Sequence, residues 1–362
     1  MVRRAASRED GQRPTTIRDV AAHAGVSVAT VSRILSGTYP SAPATRGKVM
    51  RAVRELDYVA NANARGLAGA SSRSVAIIVN SVISPHYAYV AQGVQTQAAL
   101  EGKLCIVGTT GGDPEREFAT VQLMRQEQAE CVILVGNVVN DAAYRERMGE
   151  YARALALAGS QLVLCGRPAL GPGVPALVVE YDNTAGAYAV TSHLLSAGHR
   201  RILFLGRRDG YTTQDSRVAG YRGALADHRV PHDPRLEVEG TMERHEGYRM
   251  VRERLDAGPA DFTAIFACND LIAAGARQAL RERGLRVPDD ISMVGFDDLP
   301  TAADIELTTV HVPHEELGRT AVRLALERRQ DASGMTGHLM LGTHIIVRDS
   351  VRPLRGAGDP TP

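Results

Sequence analysis

The sequence is short of the features that would mark most enzymes, metalloproteins and membrane proteins. Only four cysteines occur in 362 residues. Cys105, Cys131, Cys165 and Cys268 lie in LCIVG, CVILVG, LVLCG and IFACN, short apolar runs suited to buried strands. No Cys-x-x-Cys or Cys/His ligand spacing appears, so buried free thiols are expected, with no metal and no disulfide. No apolar span approaches the roughly 18 residues of a membrane-crossing helix. The opening MVRRAASREDGQRPTT has no apolar core of a secretory leader and reads as a partly basic, disordered arm over residues 1–14. A soluble, cytoplasmic protein is expected.

Nucleotide and hydrolase signatures are missing too. There is no Gly-x-Gly-x-x-Gly after a strand, no phosphate-binding Gly-x-x-x-x-Gly-Lys-Ser/Thr and no Gly-x-Ser-x-Gly. Asp297 and Asp298 are adjacent, but neighbouring side chains at a strand end diverge and make a poor acid/base pair. No catalytic residue, no cofactor and no enzyme activity is expected.

Charge is nearly balanced overall, at +1, but it is not evenly spread. Residues 1–73 carry 12 Arg plus Lys against 5 Asp plus Glu, while the remainder carries 30 against 36. A basic head on an acidic body concentrates phosphate affinity at one end. The length points to two or three domains.

What is present begins at residue 15. TTIRDVAAHAGVSVATVSRIL reads as two short helices around a glycine turn. Thr16 and Asp19 have the spacing of a capping box, Gly25 suits the turn, and Ser27 is a favoured N-cap. On the second helix Val31, Ile34 and Leu35 share an inward stripe. Val28, Ala29, Ser32 and Arg33 then face outward, with Thr30 beside them. TRGKVMRAVRELDY, residues 45–58, predicts a third helix with Val49, Val53 and Leu56 inside and Arg46, Lys48, Arg51 and Arg54 outside. Taken alone, the first pair could be a piece of any helical core. With the third helix and the basic balance it reads as a helix-turn-helix head over 15–60, its second helix built for a major groove.

IRDVAAHAGVSVATVSRIL, TRGKVMRAVRELDY and NANARGLAG, in this order, resemble the LacI/GalR family of bacterial transcription regulators. The resemblance implies a repressor bound as a homodimer to a pseudo-palindromic operator and gated by a small effector. It implies DNA contacts from Thr16, Ser27, Val28, Ala29, Thr30, Ser32 and Arg33. It also makes residues 61–73 a hinge entering the minor groove, with Leu67 as the wedge and Asn61 and Arg65 around it. Ala60 stands where the family often has proline, and Gly66 lies inside this segment.

From residue 74 apolar runs alternate with helical stretches: SVAIIV, KLCIVG, CVILVG, QLVLCG, ALVVEY, RILFLG, TAIFAC and ISMVGFDD. Such alternation implies parallel sheets covered on both faces. The fold class expected is an α-helical head plus an α/β body of two Rossmann-like subdomains. The family resemblance, shared with periplasmic binding proteins, implies three crossings between them. These are placed near Asp182, Leu307–His311 and Asp331–His338. The first subdomain then takes about 74–181 and 311–331, and the second about 182–310 and 338–350, with HLMLGTHIIVRDSV ending in the second and 351–362 as a tail.

Ligands of open α/β sheets bind beyond the carboxyl ends of the strands. The residues just past those ends give His86, Tyr87, Arg167, Tyr211, Arg217, Asn269 and Asp297 as the candidate effector site. Arg, Asp and Asn can direct hydrogen bonds to vicinal hydroxyls, and Tyr can cover the apolar face of a sugar. A strand-end Asn or Asp also commonly caps the next helix, as Asp270 would, and the alternative for Arg217 is a surface salt-bridge partner. RVAGYRGAL, CND and VGFDD match family motifs around Arg217, Asn269 and Asp297. Gly166 stands where many sugar-responsive members have Asp, so a simple hexose is not implied. The competing reading is a sugar-binding receptor without gene regulation, which leaves the basic head unexplained.

Overall fold

The computed structural model describes residues 15–36, 41–58, 74–330 and 336–354. The chain divides into two units, Met1–Ser72 and Arg73–Pro362. Asn61, Arg65 and Leu67 lie outside the described residues.

In the first unit α1 (Ile17–Ala24) opens on a reciprocal cap. The Thr16 N–H donates to the Asp19 carboxylate at 2.8 Å, and the Asp19 N–H donates to the Thr16 hydroxyl at 3.4 Å. Gly25 ends the helix at φ +68, a left-handed conformation that glycine adopts without a side-chain penalty. The Ser27 hydroxyl then accepts from the Thr30 N–H at the start of α2 (Val28–Ser36). A third helix, α3 (Pro43–Glu55), begins two residues before the sequence reading, with proline in the first turn where its missing N–H costs nothing. Val20, Ala21, Val31, Ile34, Val49 and Ala52 form the small core.

In the second unit the chain first lays down β1 (Ser74–Val79), β2 (Leu104–Thr109), β3 (Cys131–Val135), β4 (Gln161–Cys165) and β5 (Ala176–Tyr181). Between them run α4 (Pro85–Leu100), α5 (Pro114–Gln126) and α6 (Ala142–Leu157). It then builds the second lobe from α7 (Asn183–Ser196), β6 (Ile202–Arg207), α8 (Thr212–Asp227), β7 (Glu237–Glu239), α9 (Arg244–Asp256), β8 (Ala264–Ala267), α10 (Asp270–Glu282) and β9 (Ser292–Val294). After the short α11 (Pro300–Asp304) come β10 (Thr309–His311), α12 (His314–Gln330), β11 (Gly337–Leu341) and β12 (His344–Ile346).

The first lobe is a six-stranded parallel sheet in the order β11-β5-β4-β3-β1-β2. Alternation along β1 sends Val75, Ile77 and Val79 toward α4 and α12, and Ala76 and Ile78 toward α5 and α6. Gly93 of α4 and Gly318 of α12 let those two helices meet main chain to main chain, since a Cβ at either would overlap the other's backbone. The second lobe is a four-stranded parallel sheet, β7-β6-β8-β9, around an aromatic cluster in which the Phe204 ring lies 5.0 Å from Phe266 and 5.3 Å from Tyr221. The antiparallel pair β10–β12 sits at the crossings.

One boundary in the sequence reading is corrected. HLML does not open the second subdomain: His338 pairs with Val178 and Leu339 with Val179, so β11 completes the first lobe's sheet. The third crossing falls at Gly342 and Thr343, after the strand instead of before it. A run of His-Leu-Met-Leu is equally suited to either sheet edge, and only the pairing partner distinguishes them.

Candidate functional site

On the head, Ser27, Val28, Ala29 and Arg33 are exposed, and Thr30 and Ser32 are half-buried. Ser27 and Thr30 join hydroxyls at 2.9 Å, and the Arg33 Nε–H donates to the Ala29 carbonyl at 3.3 Å. With Val31 and Ile34 held in the core, this leaves a surface of methyl, hydroxyl and guanidinium groups on one face of α2. Arg46, Lys48, Arg51 and Arg54 stand exposed on α3. Thr16, half-buried, is occupied by its cap.

In the body a cavity of about 650 Å³ opens between the lobes at the carboxyl ends of the strands. Six of the seven expected effector residues line it: His86, Tyr87, Tyr211, Arg217, Asn269 and Asp297. Arg167 is not among the lining residues. The chain turns at Gly166 (φ +65), and the Arg167 guanidinium donates to Glu117 of α5 at 2.8 Å and to the Val135 carbonyl at 3.3 Å. Arg167 is thus corrected to a buried strut of the first lobe.

The second-lobe wall is built around Arg217, which is 1% exposed. It donates to Asp297 at 2.9 Å, to Asn183 at 2.9 Å and to the Cys268 carbonyl, and it stacks 3.7 Å above the Phe296 ring. Burial works against its charge, but Asp297 outweighs that and holds it firmly protonated. Asp297 takes up φ +109, a strained conformation fixed by the Asp297 N–H bond to the Val310 carbonyl. Asn269 caps α10 by accepting from the Ile272 N–H while its amide donates to the Met242 carbonyl. Asp270 is a structural tie: it accepts from Thr309 at 2.6 Å and from the Leu299 N–H at 2.8 Å, and burial, with Asp297 nearby, raises its carboxyl well above the usual range. At the rim Arg208 lies 4.0 Å over the Tyr211 ring.

The first-lobe wall is uncharged. His86 stacks on Tyr87 at 3.8 Å, and the Tyr87 hydroxyl accepts from Asn80 at 3.2 Å. Gly136, at φ +110, is required here because a Cβ would overlap the Tyr87 ring. Burial lowers His86 to about 4, and Asp297 only partly opposes it. Burial likewise pushes Tyr181 up to about 12. Across the cleft mouth Asn137 joins the lobes, donating to Gln214 at 2.6 Å and accepting from the Thr213 N–H at 3.0 Å. Tyr181, His314 and Asn137 were missed by sequence reasoning. Tyr181 ends β5, so the strand-end rule had been enough to find it, whereas His314 follows a strand too short to register.

Among the described residues no group of three or more His, Cys, Asp or Glu could hold a metal ion, and no helix is long and apolar enough to cross a membrane.

Residues 16–61 match the bacterial regulatory proteins of the lacI family, and residues 191–351 match the periplasmic binding protein-like domain. The HTH-type transcriptional regulator DegA of Bacillus subtilis is 32% identical over 343 residues, 94% of this chain and 99% of the relative. The regulator CelR of Thermobifida fusca is 33% identical over 94% of this chain and 99% of its own. The lac repressor dimer bound to operator and the anti-inducer ONPF is similar with a TM-score of 0.80 at 26% identity, over 94% of this chain and 100% of that one. A CelR–cellobiose complex is similar with a TM-score of 0.68 at 31% identity, over 93% and 100%.

Proposed function

This chain belongs to the lacI family of bacterial regulatory proteins, helix-turn-helix transcription regulators, and from that premise we propose that it is a cytoplasmic, non-enzymatic repressor of sugar uptake or catabolism genes. It holds a pseudo-palindromic operator as a homodimer, and a small uncharged polyhydroxylated effector in the interlobe cleft sets its affinity for DNA. The carrying observation is the cleft itself. A buried ion pair, Arg217 with Asp297, faces a wall of neutral imidazole, phenol and amide groups, an environment for directed hydrogen bonds to hydroxyls and aromatic cover for a sugar ring. Cellobiose in one relative's complex agrees with this ligand class.

A three-helix head reads only a half-site, so two heads are needed for specificity. The edge strand β2 leaves Leu104 and Val107 exposed, with Leu100 of α4 beside them, and supports pairing of two bodies there. Val28, Ala29 and Arg33 are the proposed base-reading residues, with Thr16, Ser27, Thr30 and Ser32 on phosphates and Asn61, Arg65 and Leu67 acting in the minor groove.

Fluorescence anisotropy on DNA from upstream of the gene, with and without cellobiose, ribose or glucose, tests the reading. Arg33→Ala is expected to weaken operator binding by roughly 1–3 kcal/mol. Unchanged operator affinity in that variant, or tight binding by a monomer, would overturn the docking proposed.

A further inference from the structure

His314 is the first residue of α12 and is separated from β10 by only Val312 and Pro313, so it stands directly on a crossing between the lobes. It is 6% exposed, and neither ring nitrogen makes a hydrogen bond of normal geometry. The Asp297 main chain is near enough to weigh toward protonation, but it is not in bonding position. Several buried side chains among the described residues carry an unpaired polar atom, and of these His314 alone lines the cleft. Its ring also lines a second cavity of about 490 Å³ beside Asp297 and Asp298.

An unpaired buried polar group is costly and calls for an explanation. No side chain around it supplies a partner, and the Asp297 main chain falls short of hydrogen-bond geometry. Arg217 is committed to Asp297, Asn183 and the Cys268 carbonyl. Tyr181 presents its ring edge-on at 6.1 Å, and the His86 ring lies 6.1 Å away. A neutral imidazole offers one donor and one acceptor. A sugar hydroxyl can accept from the N–H or donate to the bare nitrogen, whereas a carboxylate or phosphate can only accept and so meets the N–H alone.

We propose that His314 hydrogen-bonds a hydroxyl of the effector from the first lobe and selects neutral sugars over their acids. This rests on the reading of the cleft as the effector site. The contact places ligand recognition at the root of α12, whose main chain is seated against α4 through Gly93 and Gly318. Occupancy is therefore felt by the first lobe's helix pair as well as by the second lobe's ion pair.

The test uses the full chain with His314→Phe, which keeps the ring and removes both nitrogens, and His314→Gln, which restores a donor and an acceptor. Glucose, ribose and cellobiose are compared with gluconate and glucuronate by thermal shift and calorimetry. For whichever neutral sugar binds the wild type, His314→Phe is expected to weaken binding 10- to 100-fold and His314→Gln to recover part of it. Without sugar, His314→Phe should melt at or above the wild-type temperature, because an unpaired group has been removed. Wild-type sugar affinity in His314→Phe overturns the proposal, as does a melting temperature lowered by several degrees, which would mean that the ring has a structural partner. A sugar acid binding the wild type more tightly than its neutral parent overturns the selectivity. If no sugar in the panel binds the wild type, the sugar reading of the cleft fails, and this proposal fails with it.

Discussion

Arg167 and Arg217 make an instructive pair. Each is at most 2% exposed, and each pairs with a carboxylate, at 2.8 Å in the first lobe and 2.9 Å in the second. Yet only Arg217 faces the cleft. Arg217 rides on α8 and reaches Asp297, whereas Arg167 follows a left-handed turn at Gly166 and runs back to Glu117 on α5, with Met148 of α6 against it. Burial and ion-pair geometry therefore do not distinguish a ligand-facing arginine from a strut. The direction imposed by the carrying element does. The same contrast extends to the two walls, one with a saturated charge pair and one of neutral groups.

The largest test removes the second lobe's cation. Arg217→Met strands Asp297 in a buried site and is expected to cost about 3–5 kcal/mol in urea unfolding, along with the effector response. A loss below about 1 kcal/mol would mean that the carboxylate finds water and that the contrast between the walls is weaker than drawn.

The neutral wall is tested by acid. Burial holds His86 and His314 near 4 in the fold, while in the unfolded chain they protonate near 6.5. Across the cleft Asp297 opposes this lowering and Arg217 adds to it, and the neighbouring imidazole adds in each case: His314 for His86, His311 for His314. The unfolded chain takes up protons first as pH falls. Stability is therefore full above about 6.5 and is lost toward about 4, by up to about 3 kcal/mol per ring. His193 and His199, also lowered by burial, contribute in the same window, so the difference between wild type and His314→Phe isolates one ring. Equal pH slopes in the two proteins would show that His314 does not titrate as described.

The smallest effect is expected from replacing the first lobe's pair as a unit. Arg167→Met with Glu117→Leu substitutes apolar groups of similar length, a change expected to stay within about 2 kcal/mol and to leave the effector response intact. Arg147, also near Glu117 at 3.9 Å, is exposed enough to turn to solvent. A lost response in this double variant would put Arg167 back among the ligand contacts.

The head was legible because its signals are local. The Thr16–Asp19 cap, the Gly25 turn and the Val31/Ile34 stripe each specify their own few residues. The eight apolar runs became strands for the same reason. What escaped depends on distant partners. Glu237–Glu239 is a three-residue strand with one apolar side chain and was not among the apolar runs. Arg167 was misplaced because Glu117 is fifty positions away. β11 was misplaced because β5 lies still further off in the chain, and His314 gained its meaning only from the cavity around it.

The pairing of β11 with β5 also bears on synthesis. Residues 337–341 close an edge opened by residues 176–181, after the entire second sheet has left the ribosome. Domains usually fold in the order they emerge, but here the lobe that starts first finishes last. Until then β5 presents an unpaired rim with Leu177 and Val179, both buried in the finished protein, a ready template for a neighbouring nascent chain. The second lobe's four strands come from one continuous stretch and can settle early. The late closing strand makes the interval between the emergence of β5 and of β11 the exposed period in this protein's life.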